Sequence, residues 1–152
     1  MNNYFEIENE KYLISTDPLL MQVEIVHNYL SQQSYWAKNI PLHTVEMAIK
    51  NSLCFGVYIN QKQIGFARLI IDKATFAYLA DVFILEEYRG KGLSKYLMKC
   101  IHEHPEMQGL RRWVLGTKDA HSLYEKFGWV KFSEEQLHRF MHLHNPDVYE
   151  ER

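Results

Sequence analysis

The residues best placed to do chemistry form one stretch, from Asp81 to Met98, which reads Asp-Val-Phe-Ile-Leu-Glu-Glu-Tyr-Arg-Gly-Lys-Gly-Leu-Ser-Lys-Tyr-Leu-Met. It begins as an apolar strand and turns through Glu86-Glu87-Tyr88. It then passes a basic corner with two glycines, Gly90 and Gly92, and enters a helix. The first turn of a helix leaves N–H groups without intrahelical partners, and the helix dipole favours negative charge there. Glycine lets an anion approach the backbone because no side chain intervenes. Arg89, Lys91 and Lys95 add positive charge. The chemistry implied is phosphate binding at a helix start.

Other reactive side chains form weaker patterns. Cys54 falls in an apolar strand and Cys100 on the apolar face of a helix. Two such isolated cysteines read as buried thiols in a reducing compartment, not as a disulfide or an acyl carrier. The spacing of His138, His142 and His144 suits no metal motif, and no cysteine or paired carboxylate completes a set, so no metal is expected. The glycine run is not a P-loop, which would close on Gly-Lys-Ser/Thr where Gly92-Leu93-Ser94 stands. A dinucleotide fold would place its glycines after the first strand of a parallel unit. Here they follow three strands joined by short turns.

The elements that must position this stretch are legible in order. Residues 11–16 read as a strand. Asp17 then caps a helix with Pro18 at its first position, and Leu19, Val23, Val26 and Leu30 share a face as far as Gln32. A polar loop over 31–40 carries Tyr35 and Trp36. Pro41 opens a second helix with Val45, Ala48 and Ile49 on one face. Strands over 53–59, 63–72 and 75–84 form an antiparallel meander. The helix after the glycines buries Leu93, Leu97, Cys100 and Ile101 and is stopped by Pro105. A strand over 110–116 returns by crossover, parallel to the strand before the helix. Residues 117–119, with Asp119 as N-cap, lead into a short helix striped by Ala120, Leu123, Tyr124 and Phe127, which Gly128 ends. Residues 129–132 and 139–143 read as final strands. The fold class is α+β: a mixed, mostly antiparallel central sheet with helices on both faces, in one domain over 1–152.

Composition narrows the function. The 152 residues are 47% hydrophobic and 24% charged, with a formal net charge of −2. Nucleic-acid binders normally carry a basic excess, which this chain lacks. No apolar run reaches the ~20 residues of a membrane span. Residues 1–6 show no basic or apolar leader pattern, so the expected location is the cytoplasm.

Two segments resemble one family. Arg89-Gly90-Lys91-Gly92-Leu93-Ser94 is similar to the pyrophosphate motif of the GNAT-type acetyltransferases, Arg/Gln-x-x-Gly-x-Gly/Ala, with Ser94 where Gly or Ala is usual. Lys118 to Trp129 resembles the family's second motif, in which Ala, Leu-Tyr, Lys, Gly and an aromatic recur. Thr117 stands where Asn commonly opens it. Together they cover roughly a third of the chain in the usual order.

The resemblance implies the GNAT fold and acetyl-CoA as co-substrate. Backbone amides from Gly90 to Lys95, including those of Leu93 and Ser94, would cradle the pyrophosphate beside Arg89 and Lys91, with Thr117 also at the cofactor. Val82, Phe83 and Ile84 would hold the pantetheine arm where the strand splays from its parallel neighbour. Tyr124 falls where the family places a general acid for the departing thiolate. The base is open between Asp81, which strand alternation sets on the face opposite Ala80 and Val82, and His121. Tyr35 and Trp36 either line the acceptor pocket or cover the core. The implied reaction is acetyl transfer to a primary amine of a small molecule, favouring an aromatic or apolar one, by direct attack in a ternary complex. The alternative is a non-catalytic acyl-CoA-binding or sensor module. A homodimer through the C-terminal strands is compatible with either.

Overall fold

The computed structural model describes residues 4–150. Residues 1–3, which open the stretch read for a leader, and 151–152 lie outside the described residues. Six strands form one sheet in sequence order: β1 (Glu6–Asn9), β2 (Tyr12–Ser15), β3 (Leu53–Ile59), β4 (Lys62–Ile71), β5 (Phe76–Ile84) and β6 (Arg112–Leu115). Every neighbouring pair is antiparallel except β5 and β6, which are parallel. Helices α1 (Val23–Gln32) and α2 (Leu42–Lys50) lie between β2 and β3. Helix α3 (Leu93–Glu103) is the crossover, and α4 (His121–Glu125) and α5 (Glu134–Leu137) follow β6. This is the mixed α+β sheet that the sequence predicts.

Local chemistry fixes the meander. Asn60 and Gln61 both take positive φ, +48° and +67°, between β3 and β4. That pairing gives a two-residue turn whose twist matches the strands it joins. Between β4 and β5, one Asp72 oxygen accepts the amides of Ala74, Thr75 and Phe76, and the other accepts the Thr75 hydroxyl. These bonds hold the Asp72 carboxyl well below the usual carboxylate range.

Strand alternation then builds two cores. Val57, Ala67, Leu69, Ala77 and Leu79 meet Leu93, Leu97, Met98, Cys100 and Ile101 of α3. On the other face, Cys54, Phe66 and Phe83 meet Val26, Tyr29 and Leu30 of α1 and Val45 of α2. Both cysteines are free and buried. Burial pushes the Cys54 thiol up to about 12 and the Cys100 thiol up to about 11, so neither is a nucleophile at neutral pH.

The structure departs from the sequence reading at both ends. The first strand belongs to a hairpin: β1 pairs with β2 around Glu10, at φ +56°. Asp17 is a cap, accepting the Leu19 amide at 2.9 Å, but it caps a 3-10 turn, Pro18–Leu20. The chain returns to extended backbone at Met21, and α1 starts only at Val23. Leu19 is therefore 88% exposed and not part of the apolar face. Asp119 caps nothing; the hydroxyl of Thr117 accepts the Ala120 amide instead, at 3.0 Å.

Neither C-terminal strand forms. A capping box between Ser133 and Gln136 winds 134–137 into α5. The rings of Phe132 and Phe140 meet at 4.6 Å, and the Arg112 guanidinium lies 4.8 Å from the Phe140 ring. Among the described residues no helix is long and apolar enough to cross a membrane.

Phe66 is fully buried, with its ring 5.9 Å from that of Phe83 at the site end of β5. Replacing it by alanine is expected to cost about 3–5 kcal/mol, read from urea unfolding.

Candidate active site

β5 is where the sheet opens. It pairs with β6 only from Phe76 to Leu79, yet it runs on to Ile84. The cause lies on its other edge. Phe66 pairs with Phe83 and Arg68 with Ala80, so two steps on β4 oppose three on β5. The extra residue is a β-bulge, and Asp81 takes the left-handed φ of +54°. A bulge bends a strand and breaks its alternation. Ala77 and Leu79 belong to the α3 core, and past the bulge Val82 and Ile84 do.

This corrects the simple alternation that set Asp81 against Ala80. Its carboxylate accepts Arg68 Nε at 2.8 Å, and Arg68 lies opposite Ala80. Its other oxygen accepts the indole N–H of Trp36 at 2.7 Å. The Asp81 side chain is 11% exposed. Asp81 therefore faces the loop after α1.

That loop is built firmly. Ser34 Oγ donates to Leu30 O and accepts from Ala37 N–H; Asn39 N–H donates to Ser31 O. Ala37 and Ile40 are buried, which leaves Tyr35 and Trp36 turned outward. Their rings meet edge-on at 5.0 Å. The Tyr35 hydroxyl accepts the Lys118 amide at 3.1 Å, from the segment after β6. The loop thus touches β5 through Trp36 and the β6–α4 segment through Tyr35, spanning the gap where the strands part. Tyr35 and Trp36 cover no core; they stand over the opening.

Gly90 and Gly92 take φ of +79° and +77°, and a Cβ on either would meet nothing within 4 Å. Gly92 begins α3 without a side-chain cap. Among the described residues no amide from Gly90 to Lys95 has a backbone partner, the next being Tyr96 N–H to Gly92 O at 3.1 Å. Unpaired donors facing open space are a cradle for phosphate oxygens. Leu93 contributes backbone only, since its side chain is buried. Lys91 Nζ lies 5.8 Å from the Tyr88 ring, and so does Lys62 Nζ, a cation from the start of β4. Arg89 is engaged otherwise than a free phosphate ligand would be. Its Nε donates to Ile84 O at 3.0 Å and its Nη2 to the Tyr29 hydroxyl at 2.9 Å, tying the end of β5 to α1.

Tyr124 is buried on α4 and lines a cavity of about 740 Å³ with Gly116, Thr117 and His121. Burial, with a smaller contribution from nearby Tyr35, pushes its phenol up to about 12. It therefore stays protonated across the physiological range. Among the described residues no group of three His, Cys, Asp or Glu converges to hold a metal ion. Sequence reasoning missed Arg68, Tyr29 and Lys62. Arg68 carried a signal, being a charge inside an apolar strand that required a partner.

The site thus joins an open sheet, a run of unpaired amides beyond the end of its splayed strand, and a buried phenol beside the gap. Comparison with known proteins gives the family. Residues 50–131 match the family described as Acetyltransferase (GNAT) domain. A Gibberella zeae protein provisionally named an acetyltransferase is 34% identical, over 76% of each chain. The crystal structure of a Xanthomonas campestris protein assigned to the GNAT family superposes with a TM-score of 0.89 at 46% identity, covering 93% of this chain and 99% of that one. A GNAT acetyltransferase from Elizabethkingia anophelis, solved with acetyl-CoA bound, shares the fold with a TM-score of 0.58 at 14% identity, over 78% of this chain and 76% of that one. The chain belongs to the GNAT acetyltransferases.

The Arg68–Asp81 pair generates a stability prediction. Arg68→Met leaves a mostly buried carboxylate without its cation and should cost about 3 kcal/mol. Arg68→Met combined with Asp81→Leu should recover part of that loss, because no orphaned charge remains. Denaturant unfolding of the three variants checks both signs.

Proposed function

We propose that the protein moves the acetyl group of acetyl-CoA to a primary amine of a small molecule, by direct attack in a ternary complex. The observation that carries this reading is the run of unpaired amides from Gly90 to Lys95, continuous with the unpaired end of β5. A pyrophosphate on those amides would send its pantetheine arm along Val82, Phe83 and Ile84. Acetyl-CoA bound to the Elizabethkingia anophelis neighbour supports this choice of co-substrate.

Each side chain then has a task. A backbone N–H at the end of β5 would polarise the thioester carbonyl, favouring the transition state over the ground state. Tyr124, held protonated, would give its proton to the departing thiolate. The amine must attack in its neutral form. Asp81 has both carboxylate oxygens engaged, one by Arg68 Nε and one by the Trp36 indole, and so leaves none free to meet the amine. His121, on the same cavity as Tyr124, takes that proton directly or through water. Tyr35 and Trp36 supply an aromatic wall, which favours an apolar or aromatic amine. A cytoplasmic location accords with two free thiols and with this co-substrate.

The test follows release of the CoA thiol over a panel of primary amines. Tyr124→Phe is expected to lower kcat about 10²–10⁴-fold with acetyl-CoA affinity retained. If no amine releases CoA and the variant matches wild type, the protein is instead a non-catalytic acyl-CoA-binding module. If acetyl-CoA fails to raise the Tm, both readings fall, since a ligand of the native state must stabilise it.

The pH dependence has a definite sign. A phenol raised from 10.0 to about 12 contributes no alkaline decline in kcat until the pH nears 12. It also contributes folding stability that is full below pH 10 and is lost as pH rises towards 12. A kcat profile falling between pH 8 and 10 by loss of an acid would remove Tyr124 from that role.

A further inference from the structure

We infer that the acceptor carries a carboxylate beside its amine, as an aromatic amino acid does, and that the Lys118 ammonium and the Tyr78 hydroxyl hold that carboxylate. The inference rests on the acyl-transfer reading and narrows the amines that its site takes. The charge at the mouth of the gap is the first ground. Asp81 is already engaged by Arg68 and Trp36, so its negative charge is met within the protein. The two segments that meet across the mouth, 31–40 and 116–121, carry Lys38, Lys118, Asp119 and His121. With the histidine neutral, two cations there outnumber one anion. A net positive mouth favours an acceptor that brings a negative group.

The second ground is where Lys118 holds its charge. Lys118 meets Tyr35 twice: its amide donates to the Tyr35 hydroxyl at 3.1 Å, and its Nζ lies 5.5 Å from the centre of the Tyr35 ring. The side chain is therefore folded back over the aromatic wall instead of extending into solvent. Attraction between an ammonium and the face of a ring keeps it there. Among the described residues no carboxylate forms an ion pair with it, its neighbour Asp119 included. A cation already set over the wall loses little freedom when an anion arrives, which lowers the ordering cost of binding one.

The second donor stands on the floor of the same mouth. Ala77 and Leu79 of β5 pack into the α3 core, so Tyr78 between them points to the opposite face of the sheet. Arg68, opposite Ala80, lies on that face too and carries Asp81 on its guanidinium. Tyr78 is 37% exposed there. Its hydroxyl reaches over Gly116, just past the end of β6: a Cβ added to Gly116 would lie 3.6 Å from the Tyr78 oxygen. Gly116 stands two residues before Lys118 and lines the cavity of Tyr124 and His121. The seat for the carboxylate thus adjoins the place where the amine must lose its proton, which fits the one-carbon separation of an α-amino acid.

The test sets L-phenylalanine against two matched amines without the negative charge, phenethylamine and phenylalaninamide, each counted as neutral amine. Phenylalanine is expected to show the higher kcat/KM, through KM, by about fivefold. That preference should shrink with added salt, which screens an ion pair and leaves packing untouched. It should disappear in Lys118→Met, weaken in Tyr78→Phe and reverse in Lys118→Glu. A wild type that prefers phenethylamine, or a preference that ignores salt and Lys118, overturns the proposal while the acyl-transfer reading stands. Should no amine be acetylated, that reading fails by itself, and calorimetric titration of the three compounds, with and without CoA, decides the matter in its place. Tighter binding of phenylalanine, lost in Lys118→Met, upholds the carboxylate seat; equal binding of the three, or none, overturns it.

Discussion

An L-residue held at positive φ inside a strand costs on the order of 1–2 kcal/mol, though aspartate tolerates it better than most. Such a conformation persists only where its surroundings over-determine it. At Asp81 the surroundings are two donors, Arg68 Nε from the neighbouring strand and Trp36 Nε1 from the loop after α1. Much of the site follows from that bend. It turns Asp81 away from the α3 core, lets β5 continue past the end of its pairing with β6, and gives the aromatic loop a place to fasten. Arg68 and Asp81 are thereby structural partners first. Their charges cancel within the ion pair beside the gap.

The sequence made the glycine corner at the start of α3 legible because its cause is local. Two glycines at a helix start, with cations beside them, specify unpaired amides whatever the rest of the chain does. Tyr124 was singled out by the resemblance of its segment to the family's second motif, and its burial, with a smaller contribution from Tyr35, explains why its phenol is so weak an acid. The antiparallel meander was readable from strand length and turn residues alone.

What stayed hidden depends on pairing. A bulge at Asp81 is a miscount between two strands, and the residues of β5 alone give no sign of where it falls. The strands expected over 129–132 and 139–143 have suitable side chains, but a strand exists only with a partner in register, and within one chain α5 intervenes. The hairpin of β1 was missed because Glu10 and Lys11 make a turn without glycine or asparagine. The N-terminal helix was started too early because Asp17 caps a 3-10 turn with the same chemistry that caps an α-helix.

The contact between the Tyr35 hydroxyl and the Lys118 amide has a consequence for traffic. It bars the gap between the strands on the side of α1, while the glycine corner opens at the start of α3. A long nucleotide-bearing thioester would have its threshold at that corner, and a small acceptor would meet the aromatic side. Under the proposed reaction the two approaches would be separate, so that neither guest would have to pass the other.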